Sequence, residues 1–213
     1  MKKIVILGAG DFGREVAWLI EGINKESSEY QILGYLDDDE KKIGEIYFDY
    51  QCLGPISMLT QLAEKEPVCA VIANQSSSIR EAIASRFPGF SNWETLIHPA
   101  ANIARTVEIG KGCIICAGVN ISVDTVIGDF CMFNMSATVG HDCRIGNYVS
   151  VMSGTCICGH VAIADHAYLA TNSSVLPFKK VGRNAKVGAG SVVLRSVKDE
   201  TTVMGVPAVS IHF

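Results

Sequence analysis

The adjacent pair His141-Asp142 is the most chemically suggestive feature of the chain. A carboxylate beside an imidazole can hold it in one tautomer and raise its basicity, as a general base near neutral pH requires. The same two residues also make an ordinary solvated surface pair, and by themselves they leave both readings open. A second group lies near the N-terminus, where Gly8-Ala9-Gly10-Asp11-Phe12-Gly13 is followed by Asp37-Asp38. Glycines permit a tight turn and close backbone approach, a following helix offers unsatisfied N–H groups to a phosphate, and a later acidic residue suits a ribose hydroxyl. The bland alternative is a glycine turn that only packs a helix on a strand. His141, His160 and His166 must also be weighed as a zinc triad.

Those residues need a frame, and a repeat supplies it. Every sixth residue from Ile103 to Val193 is aliphatic or Phe, sixteen positions without a break. A hexapeptide period marks a parallel β-helix, in which short strands form the sides of a prism and successive coils stack. Two positions before each aliphatic residue the chain is mostly small or β-branched, as at Val119, Thr125, Cys131, Ala137 and Cys143. Residues two apart on a strand share a face, so both layers point inward and fill a narrow triangular core. Three hexads make an 18-residue coil. In this register Val139 points in, Gly140 turns, and His141 and Asp142 lie outside at a corner, with His160 directly over Asp142 on the next coil. Glycines such as Gly128, Gly140 and Gly146 suit corners that need a positive φ or a close backbone approach. His160 and His166 fall at one hexad position on different prism faces, which speaks against the zinc triad, and no metal is expected.

The first hundred residues alternate strand with helix. Lys3–Leu7 predicts a strand buried on both faces, and the glycine turn opens a helix over Glu15–Ile23. A second strand, Gln31–Leu36, ends at Asp37-Asp38. A third, Cys69–Ala73, ends at Asn74 and leads into a helix of about Ile79–Phe87, and Trp93–Ile97 predicts a fourth strand before Pro99. The pattern is that of a parallel α/β sheet. The expected division is a Rossmann-like domain over 1–97 and the β-helix over 98–213. Pattern alone would suggest NAD, but this unit lacks a second mononucleotide-binding half. A single nucleotide, or a nucleotide-linked ligand, fits it better.

The net charge is −4 and 19% of the residues are charged, with no basic block for nucleic acid. The N-terminal apolar run is too short for a signal peptide or a spanning segment, so no membrane insertion and a cytoplasmic location are expected. Of the eight cysteines, Cys113, Cys131 and Cys143 take inward small slots, where a serine hydroxyl is expected to be costly. Cys156 and Cys158 face outward with no second pair at zinc-site spacing. Free thiols fit a reducing compartment. His98 beside Pro99 reads as a structural cap, and His212 lies near the chain end.

The segments GAGDFGREV, YLDDD, LIHPAANI, FNMSATVGHDCRIG, VGAGSVV and GVPA, in that order, resemble the nucleotide-sugar acetyltransferases of the sialic acid and bacillosamine type, over nearly the whole chain. The resemblance implies a homotrimer in which a small Rossmann-like domain holds the nucleotide of the sugar and a left-handed β-helix binds acetyl-CoA between subunits. It implies His141 as general base, Asp142 as the acid that enhances its basicity, and Asn134 just upstream. The nucleotide-sugar contacts it implies are Gly10, Asp11, Phe12, Gly13, Asp37, Asp38, Ala73 and Asn74, and the acetyl-CoA contacts are Ser150, Gly159, Thr171 and Ala189. Some members have glycine at Ala73 and Ala189, histidine at Ser150 and glutamate at Asp142. The implied reaction is direct acetyl transfer to an amine or hydroxyl of the sugar. A nucleotide-sugar-binding scaffold without activity is the second reading, and a metal-dependent hydratase like the γ-class carbonic anhydrases the third. The basic cluster Lys179, Lys180, Arg183 and Lys186 suits CoA phosphates or a solvated edge equally.

Overall fold

The computed structural model describes residues 1–211, and His212 lies outside that range. The chain forms two compact units, Met1–Pro99 and a second beginning at Ala100. Among the described residues no helix is long and apolar enough to cross a membrane.

The first unit contains β1 (Lys2–Leu7), α1 (Asp11–Ser27), β2 (Tyr30–Leu36), β3 (Ile46–Tyr47), β4 (Tyr50–Gly54), α2 (Met58–Lys65), β5 (Val68–Ile72) and α3 (Ser77–Ser85). The sheet order is β3-β4-β2-β1-β5, with β2 and β5 both parallel to β1. The chain therefore leaves β1 on one side and returns on the other, and the crevice of such a sheet lies at the carboxyl ends of its central strands. Ile4, Val5, Ile6 and Leu7 are fully buried, as a strand covered on both faces requires. The β3–β4 hairpin and α2 were not among the expected elements. Nor is Trp93–Ile97 one continuous strand: Trp93 makes a single bridge to Ala70, and only Leu96–Ile97 is extended further on. Asn92 and Glu94 use their backbone groups on Ala70 alone, so no longer ladder forms.

The second unit is a left-handed β-helix of two-residue strands on three walls. The first wall stacks Asn102–Ile103, Asn120–Ile121, Thr138–Val139, Cys156–Ile157, Ser174–Val175 and Val192–Val193. Glu108–Ile109 through Lys180–Val181 form the second, and Ile114–Ile115 through Lys186–Val187 the third. Every neighbouring pair is parallel and in register at one full coil, as in Thr138↔Cys156 and Arg144↔Ala162. The aliphatic and small layers are both inside: Phe133, Val151, Leu169, Ala137 and Cys143 are fully buried, while Ala101, Ile103, Val107 and Ile109 of the first coil are partly open.

The glycines that directly follow the inward aliphatic residues are not the positive-φ positions. Gly128, Gly140 and Gly146 have no positive φ; a Cβ on Gly140 would lie 2.5 Å from the Gly159 nitrogen, so they are needed for coil-to-coil approach. The left-handed conformation falls two residues later, on residues from Asp124 (φ 58) through Asp142 (φ 57) and His160 (φ 57) to Asn184 (φ 55), with glycine at that place in Gly112, Gly118, Gly154 and Gly190. Each such non-glycine residue costs about 1–2 kcal/mol; Asp142 and His160 give their N–H to carbonyls of the preceding coil, Val123 (3.1 Å) and His141 (2.9 Å), while Asp124 gives its own to Thr106 Oγ1 (2.9 Å). At the corner after the second wall these residues form an aromatic stack, Phe130 on Tyr148 on His166, with ring centroids 5.1 Å apart. Beside it the side chains of Asp129, Asn147 and Asp165 each accept from the backbone N–H one coil earlier.

After Val193 the repeat stops. Val197 bridges Val181 in a shortened turn, and Thr202–Met204 continues the third wall in parallel but pairs antiparallel with Val209–Ile211 on its other side.

Inward small slots are not purely apolar. Thr125 and Thr155 donate to Gly140 O (2.9 Å) and Ala170 O (3.0 Å), and Cys143 Sγ donates to Cys158 O (3.2 Å) from the equivalent position. The expectation that a hydroxyl would be costly at Cys143 is therefore revised, because an acceptor already faces it. Cys143→Ser should change unfolding free energy by no more than about 1 kcal/mol, whereas Gly128→Val should lower it by at least about 1–3 kcal/mol by wedging two coils apart. Denaturant melts of the two variants check the contrast.

Candidate active site

His141 and Asp142 occupy the corner between the first and second walls. Both are exposed, and His141 Nδ1 is 2.7 Å from Asp142 Oδ2. Since the carboxylate can only accept, Nδ1 carries the proton and Nε2 keeps its lone pair. That hydrogen bond holds the Asp142 carboxyl below the usual carboxylate range. On the next coil, Gly159 underlies the ring: a Cβ there would lie 2.7 Å from His141 Nε2. His160 follows, with Nε2 3.8 Å from Asp142 Oδ2 and its ring edge-on to His141 at 5.0 Å between centroids. Phe178, one coil further, stacks on His160 at 4.8 Å.

Within the second unit the structure does not gather the expected residues at one place. Gly159 shares the His141 corner. Asn134, Thr171 and Ala189 lie at the corner between the third and first walls, and Ser150 is a fully buried strand residue of the third wall. Asn134 is also buried, and its side chain accepts from Met135 N at 2.7 Å. His166 stands at yet another corner, on Tyr148, so His141, His160 and His166 form no triad. The cluster that does form is His141, Asp142 and His160, whose ligating atoms all lie within 4.8 Å.

In the first unit the glycine turn sits at the carboxyl end of β1. Gly8 (φ 113) and Gly13 are required by packing, since a Cβ would meet Ala73 O at 2.8 Å and Gly8 O at 2.1 Å. Gly10 differs: a Cβ there meets nothing within 4 Å, and its φ of −88° is open to any residue. Nothing in this unit needs a glycine at position 10, which leaves bare backbone beside the N-terminus of α1. Asp11 points out and pairs with Arg14, while Phe12 is buried in the core and offers a ligand only its backbone.

Asp37 and Asp38 are engaged already. Asp37 accepts from Ala9 N (2.8 Å), Lys42 Nζ (2.9 Å) and Asp39 N (3.0 Å), and these contacts outweigh burial and lower its pKa. Asp38 accepts from Ile56 N (2.9 Å) and Arg86 Nη1 (2.5 Å), and the arginine lowers its pKa as well. Two residues that sequence patterns did not single out complete the frame. Lys42 closes over Asp37, and Arg80, 1% exposed, donates through Nη1 to Asn74 O (2.8 Å) and Gln75 O (3.0 Å). It thereby fixes the loop after β5 that carries Ala73 and Asn74. A buried arginine in a polar stretch of helix gives no signal in composition or periodicity.

Comparison with known proteins agrees with both halves. Residues 3–87 match the profile of the PglD N-terminal domain and residues 90–192 that of the GMPPB C-terminal domain. The GDP-perosamine N-acetyltransferase of Escherichia coli O157:H7 is 32% identical over 94% of the chain and 81% of its own length. The Serine acetyltransferase of Bacillus pumilus (strain SAFR-032) is 36% identical over 52% of the chain, which spans only 45% of that relative. Among solved structures, PerB from Caulobacter crescentus in complex with CoA and GDP-perosamine superposes with a TM-score of 0.90 at 27% identity, covering 100% of this chain and 98% of that one. WeeI from Acinetobacter baumannii AYE gives 0.87 at 29% identity, covering 99% and 100%.

The contact between Gly159 and the imidazole can be probed directly. Gly159→Ala pushes on the free end of the His141 side chain, so turnover should fall about 100-fold, the scale of a misplaced reacting group. The melting temperature should stay within a few degrees of the parent's. Steady-state kinetics beside a thermal melt decide it, and an unchanged turnover would remove Gly159 from the site.

Proposed function

The chain belongs to the hexapeptide-repeat nucleotide-sugar acetyltransferases of the sialic acid and bacillosamine type, and from that premise we propose that it moves an acetyl group from acetyl-CoA to a nucleotide-linked amino sugar. The observation that carries the reading is the His141 Nδ1 to Asp142 hydrogen bond of 2.7 Å, which leaves Nε2 as an exposed acceptor at a corner. His141 Nε2 takes the proton from the sugar nitrogen as that nitrogen attacks the thioester carbonyl carbon. The carbon–sulfur bond then breaks, and the departing CoA thiolate takes a proton from the imidazolium. Asp142 stabilises that imidazolium and keeps it oriented. The tetrahedral oxyanion needs a fixed donor. The backbone N–H of Gly159, beside the imidazole and with no backbone acceptor among the described residues, is the donor we assign. Buried Cys143, whose burial pushes its thiol pKa up, takes no part.

Nitrogen is favoured over oxygen because the similar proteins named for perosamine are N-acetyltransferases. GDP-perosamine is therefore the first acceptor to test, followed by UDP-, dTDP- and CMP-linked amino sugars. The nucleotide is assigned to the first unit, with phosphates at Gly10 and the start of α1. Asp37 keeps acceptor capacity for a ribose hydroxyl. A homotrimer is proposed on the character of the first wall, whose outward residues Asn102, Asn120, Thr138, Cys156, Ser174 and Val192 carry no charge. That wall lies between the corner bearing His141 and Gly159 and the corner bearing Asn134, Thr171 and Ala189. Cyclic closure on it would place one copy's first corner beside a neighbour's second and enclose a long cofactor.

Three outcomes are expected. His141→Ala should lower turnover by about two to four powers of ten, with stability changed by no more than about 0.5 kcal/mol; full activity with the true acceptor would overturn the assignment of the base. Asp37→Ala with Asp38→Ala should weaken sugar-nucleotide binding by calorimetry at least tenfold while acetyl-CoA affinity holds. Light scattering should give three times the chain mass at micromolar concentration, and a monomer would count against the shared site.

A further inference from the structure

We infer that His141, Asp142 and His160 form a binding site for a divalent transition-metal ion such as Zn²⁺, and that the ion takes His141 out of use as a base. The binding site is independent of acetyl transfer, while the loss of the base rests on that reading. Three groups of the right kind converge: two imidazoles and a carboxylate, with ligating atoms all within 4.8 Å. Around a tetrahedral ion with bonds of about 2.0–2.1 Å, ligand atoms sit roughly 3.3 Å apart. The observed separations from Asp142 Oδ2, 2.7 Å to His141 Nδ1 and 3.8 Å to His160 Nε2, straddle that value. The remaining pair, His141 with His160, is within 4.8 Å, so the exposed side chains must rotate inward to close on an ion.

Two features hold the third ligand in place. The His160 backbone N–H donates to His141 O at 2.9 Å, and the His160 ring is stacked on Phe178. The Asp142 carboxylate supplies an anionic oxygen beside the two imidazoles. Three protein ligands leave a fourth position for water. Imidazole and carboxylate together select Zn²⁺, Co²⁺, Ni²⁺ or Cu²⁺ over Mg²⁺ and Ca²⁺, which prefer sets made of oxygen alone.

The consequence for His141 lies in its tautomer. In the metal-free corner Nδ1–H donates to Asp142 and Nε2 accepts. A metal on Nδ1 displaces that proton, so the neutral ring must carry its hydrogen on Nε2, the atom that would remove the substrate's proton. Base and ligand are alternative states of one ring. The ion envisaged here therefore inhibits, in contrast to a hydratase, where a metal-bound water would be the nucleophile.

Binding is tested without any acyl donor. The parent, His160→Phe, Asp142→Asn and the Cys156→Ser/Cys158→Ser double variant are titrated with Zn²⁺ by calorimetry and with Co²⁺ by visible absorption, with melts to confirm folding. Phe at 160 keeps the stack on Phe178 and removes only the ligand. We expect one Zn²⁺ per chain, at least tenfold weaker binding in His160→Phe and Asp142→Asn, parental affinity in the cysteine variant, and tetrahedral Co²⁺ bands that vanish with His160. Equal affinity in the parent and His160→Phe, or loss of binding only when Cys156 and Cys158 are replaced, overturns the site. Where an active acceptor is in hand, Zn²⁺ should inhibit turnover reversibly by chelator and Mg²⁺ should not. Zinc bound by these residues in a protein that acetylates no sugar would remove the proposed function and leave this site standing.

Discussion

One hydrogen bond, repeated from corner to corner from Phe130 to Asn184, sets the geometry of the second unit. A residue held at positive φ gives its N–H to a carbonyl in the corner of the coil below, as His160 does to His141 and Phe178 to Gly159. L-residues resist that conformation, and only a strained turn bonded in this way keeps two-residue strands in register. Exact stacking follows, and with it the columns of side chains outside the prism. His160 therefore has little choice about lying over Asp142, and Gly159 is the residue under the imidazole because the corner below Phe178 must be close-packed.

The same stacking explains how an apolar prism carries polar inward slots. Small positions can face a carbonyl at a corner of the next coil, so threonine or a weakly donating thiol sits there with a partner, as Thr125, Thr155 and Cys143 do. The shorter serine is different: Ser173, fully buried in a slot of the same kind, leaves its hydroxyl without a partner.

Much of this was legible from residues alone. The period of six needs no knowledge of distant contacts, because each coil's neighbours are set by counting eighteen, and Asp142 under His160 came from that count. The first unit was less transparent. Its long strands and α1 announce themselves by apolar runs, but the β3–β4 hairpin is too short and exposed to show a pattern, and Trp93 reads like a strand while making only one bridge. The acidic pair after β2 was visible, whereas its partners Lys42, Arg86 and the backbone of Ile56 were not, since those contacts arise from tertiary packing. Arg80 illustrates the limit: nothing in its neighbourhood of serines predicts a guanidinium sealed from water.

The way the coils end has a consequence for solubility. A parallel solenoid presents an open strand edge at its last turn, and such an edge can template the next molecule into a growing fibre. Here the third wall is closed by Val209–Ile211 running in the opposite sense, and the second by the shortened turn through Val197. The last turn therefore offers the next molecule's first coil a reversed strand and a shortened turn in place of another copy of the parallel register, so the repeat cannot be continued in its own geometry from one molecule into the next.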